Sequence, residues 1–333
     1  MSKKALVLAA VSAAILAAAP VSAAPLEIKI QWSVAPAHIT PLLPLAPKGV
    51  YKHYGKTYTI SPQRMRGSGA ALQAIAANEL HLGGISPEAM ALGVTRAKID
   101  LVSIAQVMSG GVIGYGATEF WARKGEIKSF ADVKGKIVAV NSFGSSIDAA
   151  VIAMAKKTGL QRGKDFQVVE VRFPAMLGSL EKGRVALAPL LTPFNLIAER
   201  KGGFQKVFDM REALGATETL TWIGRRDWVQ KNRAALVDFL EDNLRFRKWM
   251  LDPKNRKDVL ELVAKVTKRP AKNYASWLFT NKDNYRDPMA LVNVERMQKN
   301  IDDLNGMGII KAQIDAKKHV DLSIAQDAAK RLK

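Results

Sequence analysis

Asn141-Ser142-Phe143-Gly144-Ser145-Ser146-Ile147-Asp148 is the stretch whose reading decides the fold. Before it, Gly135-Lys136-Ile137-Val138-Ala139-Val140 is short, apolar and rich in β-branched residues, the pattern of a buried strand. After it, Ile147, Val151, Ile152 and Ala155 recur at helical spacing, Lys156 and Lys157 fall in the last turn, and Gly159 stops the helix. A small polar loop between strand and helix aims unpaired backbone N–H groups and the positive helix end at one point, which makes an anion site. The same residues also read as a plain cap. Ser145 with Asp148 three positions on forms a capping box, which would occupy one N–H and place a negative charge in the first turn.

A second stretch repeats the pattern. Arg64-Met65-Arg66-Gly67-Ser68-Gly69-Ala70 follows a strand-like run over residues 56–61 and opens a helix over 70–78, whose apolar face is Leu72, Ile75 and Ala76. His81-Leu82-Gly83-Gly84-Ile85-Ser86-Pro87-Glu88 is again a short apolar run ending in a polar turn. Two strand–loop–helix units in separate halves suggest two lobes facing across a cleft, since ligands of open parallel sheets bind beyond the carboxyl ends of the strands.

The segment from Gly67-Ser68-Gly69-Ala70-Ala71-Leu72-Gln73-Ala74-Ile75-Ala76-Ala77-Asn78-Glu79-Leu80 to Gly84-Ile85-Ser86 resembles the first-lobe signature of the nitrate/sulfonate/taurine-type (thiamine-precursor-like) solute-binding proteins of ABC importers. Asp132-Val133-Lys134-Gly135-Lys136-Ile137-Val138-Ala139-Val140, followed by Gly144-Ser145-Ser146, is similar to the second-lobe signature. The order and spacing fit from about Leu26 to about Asn243; the C-terminal part is less distinctive. The resemblance implies an α/β, two-lobed type II periplasmic-binding-protein fold with a ligand cleft between lobes. It also implies a small anionic solute, an inner-membrane ABC permease with a cytoplasmic ATPase, and a monomer without cofactor or catalytic residue.

The N-terminus is consistent with export. Lys3 and Lys4 precede an apolar run over residues 5–19, and Val21-Ser22-Ala23 offers small residues at the recognition positions. The expectation is a signal peptide over residues 1–23, cleaved after Ala23, and a periplasmic protein. The chain has no cysteine, which excludes disulfides, thiolate metal sites and a lipid-anchoring cysteine. The formal net charge is +20, and Lys3 and Lys4 contribute only a little of it. The basic residues are scattered, no nucleic-acid-binding motif accompanies them, and export removes nucleic acid from reach, so none is expected as partner. A solvated cationic surface, attraction to anionic membrane, or a field that draws in anionic solutes all fit.

The coarse order of elements follows from periodicity. Leu26, Ile28, Ile30 and Trp32 alternate as a first strand, with Val34-Ala35-Pro36-Ala37-His38 as the loop after it. A proline-broken helix is expected over 42–50, strands over 99–107, 112–121, 166–171 and 185–187, and a helix over 175–181 started by Pro174. From Asn232 onward the chain reads as helical, with breaks at Arg269-Pro270 and Asp287-Pro288. Crossings between lobes are expected near Gly114-Tyr115-Gly116 and Leu220-Thr221-Trp222. That gives lobe 1 over residues 24–115 and 222–333 and lobe 2 over 116–221.

The four histidines, His38, His53, His81 and His319, lack metal-ligand spacing. Gly67-Ser68-Gly69 lacks a P-loop lysine, and no Gly-x-Ser-x-Gly elbow or paired carboxylate stands out. Arg66 and Arg172 lie at carboxyl ends of strands in the two halves, and a guanidinium grips carboxylate or sulfonate as a fork. Either can equally be a surface arginine. The expected ligand shell is Gly67, Ser68, Gly69, Ser86 and Arg66 from one lobe. From the other come Asn141, Phe143, Gly144, Ser145, Ser146, Arg172 and Pro193. Trp32, with Phe143, supplies apolar wall, which favours an organic sulfonate or carboxylate over nitrate. The competing functions are an enzyme resembling thiamine-pyrimidine synthases, which share this fold but carry a cysteine-rich motif, and a ligand sensor with no transport partner.

Overall fold

The computed structural model describes residues 24–332, and the expected export signal over 1–23 lies outside them. The chain opens with β1 (Leu26–Trp32), β2 (Tyr58–Arg64), α1 (Ser68–Ala76), β3 (Gly83–Ile85), α2 (Pro87–Thr95) and β4 (Leu101–Gly110). It continues as β5 (Glu119–Arg123), β6 (Ile137–Val140), α3 (Ser146–Thr158), β7 (Gln167–Glu170), α4 (Phe173–Glu181), β8 (Leu187–Leu190), α5 (Phe194–Lys201), β9 (Phe204–Asp209) and α6 (Met210–Leu214). It closes with β10 (Thr217–Arg225), α7 (Arg226–Lys231), α8 (Arg233–Leu251), α9 (Arg256–Thr267), α10 (Val294–Gly306) and α11 (Leu322–Lys330).

These strands build two sheets of the same design. The second runs β7-β6-β8-β5-β9, with β6 parallel to β7 and β8 and with β5 antiparallel to β8 and β9. In the first, β1 pairs in parallel with β2, and β10 lies antiparallel between β3 and β4. A bridge from Ile30 to Leu82 and a 2.9 Å bond from Gln31 N–H to the Leu82 carbonyl join the two parts, giving β2-β1-β3-β10-β4. Both sheets are mixed, each with one reversed strand that carries the chain in from the other lobe.

The chain leaves the first sheet over residues 111–118 and returns at 215–216. The two crossings touch. A Cβ on Gly111 would lie 2.5 Å from the Gly215 carbonyl oxygen, and both glycines have positive φ (67° and 75°). The expectation that Leu220-Thr221-Trp222 makes the return crossing is corrected. These residues lie inside β10, where Trp222 sits opposite Gly84 and Ala105. Their β-branched and aromatic side chains suit a buried strand, and glycine makes the turn instead.

Other elements shift for similar reasons. The stretch read as a broken helix is a short 3-10 turn, Thr40–Leu45, because Pro44 removes a donor. Strand β8 runs to Leu190 although Pro189 lies inside it. Residues 268–293, read as helical, hold only the short 3-10 turn Ala271–Asn273. This irregular segment is nonetheless packed: Tyr274 and Trp277 are buried, and Arg247 of α8 donates to the carbonyls of Gln106 and Asp287. Strand β4 is buried along its whole length, so its polar members must find partners. Gln106 does so by donating to Ser109 (3.0 Å) and accepting from Asp287 N–H (2.6 Å).

Candidate functional site

Helices α1 and α3 start at the carboxyl ends of β2 and β6, and their first turns approach one another across the lobes. The N-cap of α1 is Gly67, which has no side chain to cap with. Among the described residues, the Ser68, Gly69 and Ala70 N–H groups find no acceptor. Glycine is required by proximity. A Cβ on Gly67 would stand 2.4 Å from Asn141 Nδ2, and one on Gly69 would stand 2.3 Å from the Phe143 carbonyl oxygen.

At α3 the cap is real. Ser145 Oγ accepts from Asp148 N–H at 3.3 Å, and Gly159 closes the other end in the left-handed region. The reciprocal contact falls one residue early, because the Asp148 carboxylate accepts from Gly144 N–H (2.9 Å) and from Arg162 (2.8 Å). Burial pushes the Asp148 carboxyl up, against the lowering pull of Gly144 N–H and Arg162. The Ser146 and Ile147 N–H groups stay without acceptors among the described residues. The cap therefore does not use up the helix start: the serine takes one N–H and leaves two.

Between the two helix starts lies a cavity of about 50 Å³. Its polar lining includes Gln31, His38 and Ser68 from one lobe and Asn141, Ser145 and Ser146 from the other. Thr118, Thr219 and Asn284 close it beside the crossings, and Met108, Phe173, Leu191 and Leu220 are its apolar wall. No arginine, lysine or carboxylate is in the lining. Its one titratable group, His38, is lowered to about 4, first by burial and further by Arg286, so the ring is neutral near pH 7. Ser33 N–H donates to His38 Nδ1 at 3.4 Å, which assigns the ring proton to Nε2. Among the described residues that Nε2 and the Oε1 of Gln31 are buried without a partner, whereas Gln31 Nε2 donates to Ser33 Oγ at 2.8 Å. Of the five helix N–H groups without acceptors, those of Ser68, Ser146 and Ile147 belong to residues that line the cavity, which also has one orphan donor and one orphan acceptor among the described residues.

Of the residues expected to bind ligand, Gly67, Ser68, Asn141, Ser145 and Ser146 meet at this cavity. Ser86 stands behind them: it caps α2 by accepting from Ala89 N–H (3.3 Å), and its own N–H donates to Ser68 Oγ (3.2 Å). Gly69 supports the contact between loops. Arg66 does not line the cavity; it pairs with Glu170 at 2.5 Å. Arg172, the N-cap of α4, is exposed and also outside the lining. Phe143 and Gly144 border a separate cavity of about 350 Å³ with Glu88 and Arg162. Trp32 and Pro193 border a third, of about 260 Å³.

The sequence reading missed Gln31, His38, Thr118, Thr219 and Asn284. Gln31 shares the alternating polar positions of Glu27 and Lys29 in the first strand, so nothing in the sequence set it apart, and His38 offered only its place in the loop after that strand. Asn284 comes from the irregular C-terminal segment, where no periodicity pointed to the cleft. A further cluster, His53, Asp238 and Glu241, brings ligand-type atoms within 4.8 Å of one another. Lys52, Arg245 and Arg331 pair with its carboxylates, so it is an ion-pair network.

A model of the NMT1-like family matches residues 26–264. No curated protein matches the chain by sequence. Among solved structures, the periplasmic aliphatic sulphonate binding protein SsuA from Escherichia coli is similar with a TM-score of 0.64 at 20% identity, covering 91% of this chain and 99% of that one. The periplasmic nitrate-binding protein NrtA from Synechocystis PCC 6803 has a TM-score of 0.72 at 15% identity, covering 93% of this chain and 89% of its own. The desulfurization enzyme DSZB is also similar, with a TM-score of 0.62 at 12% identity over 92% of this chain and 100% of that one. The fold is the two-lobed α/β fold of periplasmic binding proteins.

Proposed function

The chain belongs to the NMT1-like family, and from that membership we propose that it is the extracytoplasmic solute receptor of an ABC importer. It captures a small organic anion, a sulfonate or carboxylate, between its lobes and presents the closed form to an inner-membrane permease driven by a cytoplasmic ATPase. The observation that carries this reading is the convergence of two helix N-termini from different lobes on one cavity, where the Ser68, Ser146 and Ile147 N–H groups have no acceptor among the described residues. Aligned peptide dipoles and free N–H groups stabilise an anion without any cationic side chain. The neutral lining also suits release, because no buried guanidinium is left unpaired when solute departs.

Binding rather than chemistry is supported by what the cavity holds. It lacks carboxylate and lysine, the chain has no cysteine, and His38 is held neutral by burial. The protein acts in the periplasm as a monomer, its N-terminus beginning at Ala24 after export. N-terminal sequencing of secreted material checks the last point, and recovery only of a chain starting at Met1 overturns it.

A thermal-shift panel tests the solute class. Short alkyl sulfonates, carboxylates, nitrate and neutral amides of matched size are compared. A ligand at a hundred times its Kd adds about 2.7 kcal/mol of stability. A sulfonate or carboxylate is expected to raise Tm; stabilisation by the neutral amides alone overturns the reading.

A further inference from the structure

The cavity bordered by Trp32 and Pro193 adjoins the inner one residue by residue. Ser33 and Phe173 line the inner cavity and their chain neighbours Trp32, Val34 and Pro174 line the outer, while Leu191 lines the inner and Pro193, two residues on, the outer. It has about 260 Å³ against about 50 Å³ inside, and its chemistry is different. Two arginines line it. The Arg64 guanidinium lies 5.3 Å from the centre of the Trp32 ring, and that of Arg269 lies 5.2 Å from the centre of the Phe194 ring. Among the described residues, neither arginine is in an ion pair, whereas Arg66, two residues from Arg64, is paired with Glu170. No carboxylate lines the cavity.

Two further features have the same sign. Helices α4 and α5 both start at this cavity, through Pro174 and Pro193, without a side-chain cap and without an acidic residue in the first turn. The segment that supplies Arg269 and Tyr274 has no aspartate or glutamate between Glu261 and Asp283, yet it carries Lys265, Lys268, Lys272 and Lys282. Unpaired guanidinium, helix starts free of acidic residues and a one-sided charge run reinforce one another in drawing in an anion.

We infer that this outer cavity is a second anion site, taking an organic anion with a flat apolar body, an aryl sulfonate or aryl carboxylate. Trp32, Phe194 and Tyr274 give its body aromatic surface to lie against. Arg64 and Arg269 take the charged group; their planar forks match sulfonate and carboxylate oxygens, and each already rests over a ring that limits its freedom. The site does not depend on what fills the inner cavity, which is too small for an aryl ring together with its acidic group.

The test uses 2-naphthalenesulfonate with the full protein, followed by isothermal titration calorimetry and by quenching of tryptophan fluorescence. Arg64→Gln with Arg269→Gln is expected to weaken binding by roughly tenfold or more, equivalent to about 1.4 kcal/mol, and to flatten its salt dependence, with Tm kept. Trp32→Phe is expected to remove most of the quenching. The neutral naphthalene-2-sulfonamide is expected to bind the wild type weakly, and methanesulfonate, sized for the inner cavity, is expected not to displace the probe. Undiminished binding to the double variant, equal binding of the sulfonamide, displacement by methanesulfonate, or no binding of the probe at millimolar concentration each overturns the second site. Failure of the inner-site proposal would instead show as absence of any methanesulfonate binding, with the arginine dependence of the probe intact.

Discussion

Arg66 Nη1 lies 2.5 Å from Glu170 Oε2, and the pair joins the two lobes: Arg66 follows β2, and Glu170 ends β7. The other oxygen of Glu170 accepts from Phe143 N–H at 2.8 Å. One carboxylate therefore holds the arginine before α1 and the loop before α3 together. This geometry leads us to propose Arg66 as a latch between the lobes, since it pairs with Glu170 and is absent from the cavity lining.

The latch makes a double-mutant prediction. Arg66 is 45% exposed, so the pair is screened and contributes about 0.2–1 kcal/mol. Arg66→Ala and Glu170→Ala should each weaken solute binding by about that amount, through a less populated closed state, and the double variant should be no worse than either. Calorimetry on the three variants decides. A loss of several kcal/mol for Arg66→Ala that persists beside Glu170→Ala would put the guanidinium on the solute after all.

Gly69 sets how closely the lobes approach. An alanine Cβ there would stand 2.3 Å from the Phe143 carbonyl oxygen and 2.8 Å from Ser142 Oγ, and backbone cannot yield cheaply. Gly69→Ala should keep the lobes apart while leaving α1 intact, since alanine is the better helix former by about 1 kcal/mol. The expected result is unchanged or slightly raised Tm without solute, affinity reduced by roughly tenfold or more, and no solute-induced shrinkage in small-angle scattering. Wild-type affinity in this variant would mean that closure does not need the contact.

The fold was legible where one chain segment carries its own pattern. The strand before Asn141, helix α3 and its Gly159 stop all follow from local periodicity and capping. The crossing at Gly215 was not legible, because a two-residue turn has no period and the aromatic strand beside it drew attention. The site was half legible for the same reason. Gly67, Ser68, Asn141, Ser145 and Ser146 belong to strand-to-helix loops that announce themselves. Thr219 and Asn284 reach the cavity only through tertiary packing of β10 and the irregular segment after α9. The pairing of Arg66 was not legible, because its partner, Glu170, is 104 residues away.

Ser145 now has a defined weight. Its Oγ accepts from Asp148 N–H, and its hydroxyl lies 2.9 Å from Asn141 Oδ1 and 2.8 Å from the Ser142 carbonyl oxygen. With the proton committed to these neighbours, the serine serves α3 more than the solute. Ser145→Ala should cost about 1 kcal/mol of stability, while the Ser146 and Ile147 N–H groups remain to bind. Denaturant melts and titration of the same preparation check this. A large loss of affinity with unchanged stability would reverse the assignment.

Glu218 makes stability depend on pH in a direction opposite to the usual carboxylate. It is fully buried on β10, with Oε2 accepting from Ser109 Oγ (2.5 Å) and Oε1 from Asn293 N–H (3.3 Å), and with Arg296 at 3.6 Å. Burial pushes its carboxyl up to about 7, against the lowering pull of Ser109, Asn293 N–H and Arg296. In the unfolded chain it titrates near 4.5. Between pH 4.5 and about 7 the unfolded chain therefore releases a proton that the folded protein retains. Its contribution is complete below pH 4.5 and declines as pH rises through the window, by up to about 3 kcal/mol. Glu218→Gln keeps the shape of the side chain and removes the proton. Subtracting its unfolding free energy from that of the wild type, measured by urea denaturation at pH 4.5, 5.5, 6.5 and 7.5, cancels every other titrating group. The difference should fall steadily up to pH 7 and then level off. A flat difference would mean that Arg296 and the two donors hold the carboxylate ionised throughout, and that the strand leading back into the first lobe carries a permanent buried charge.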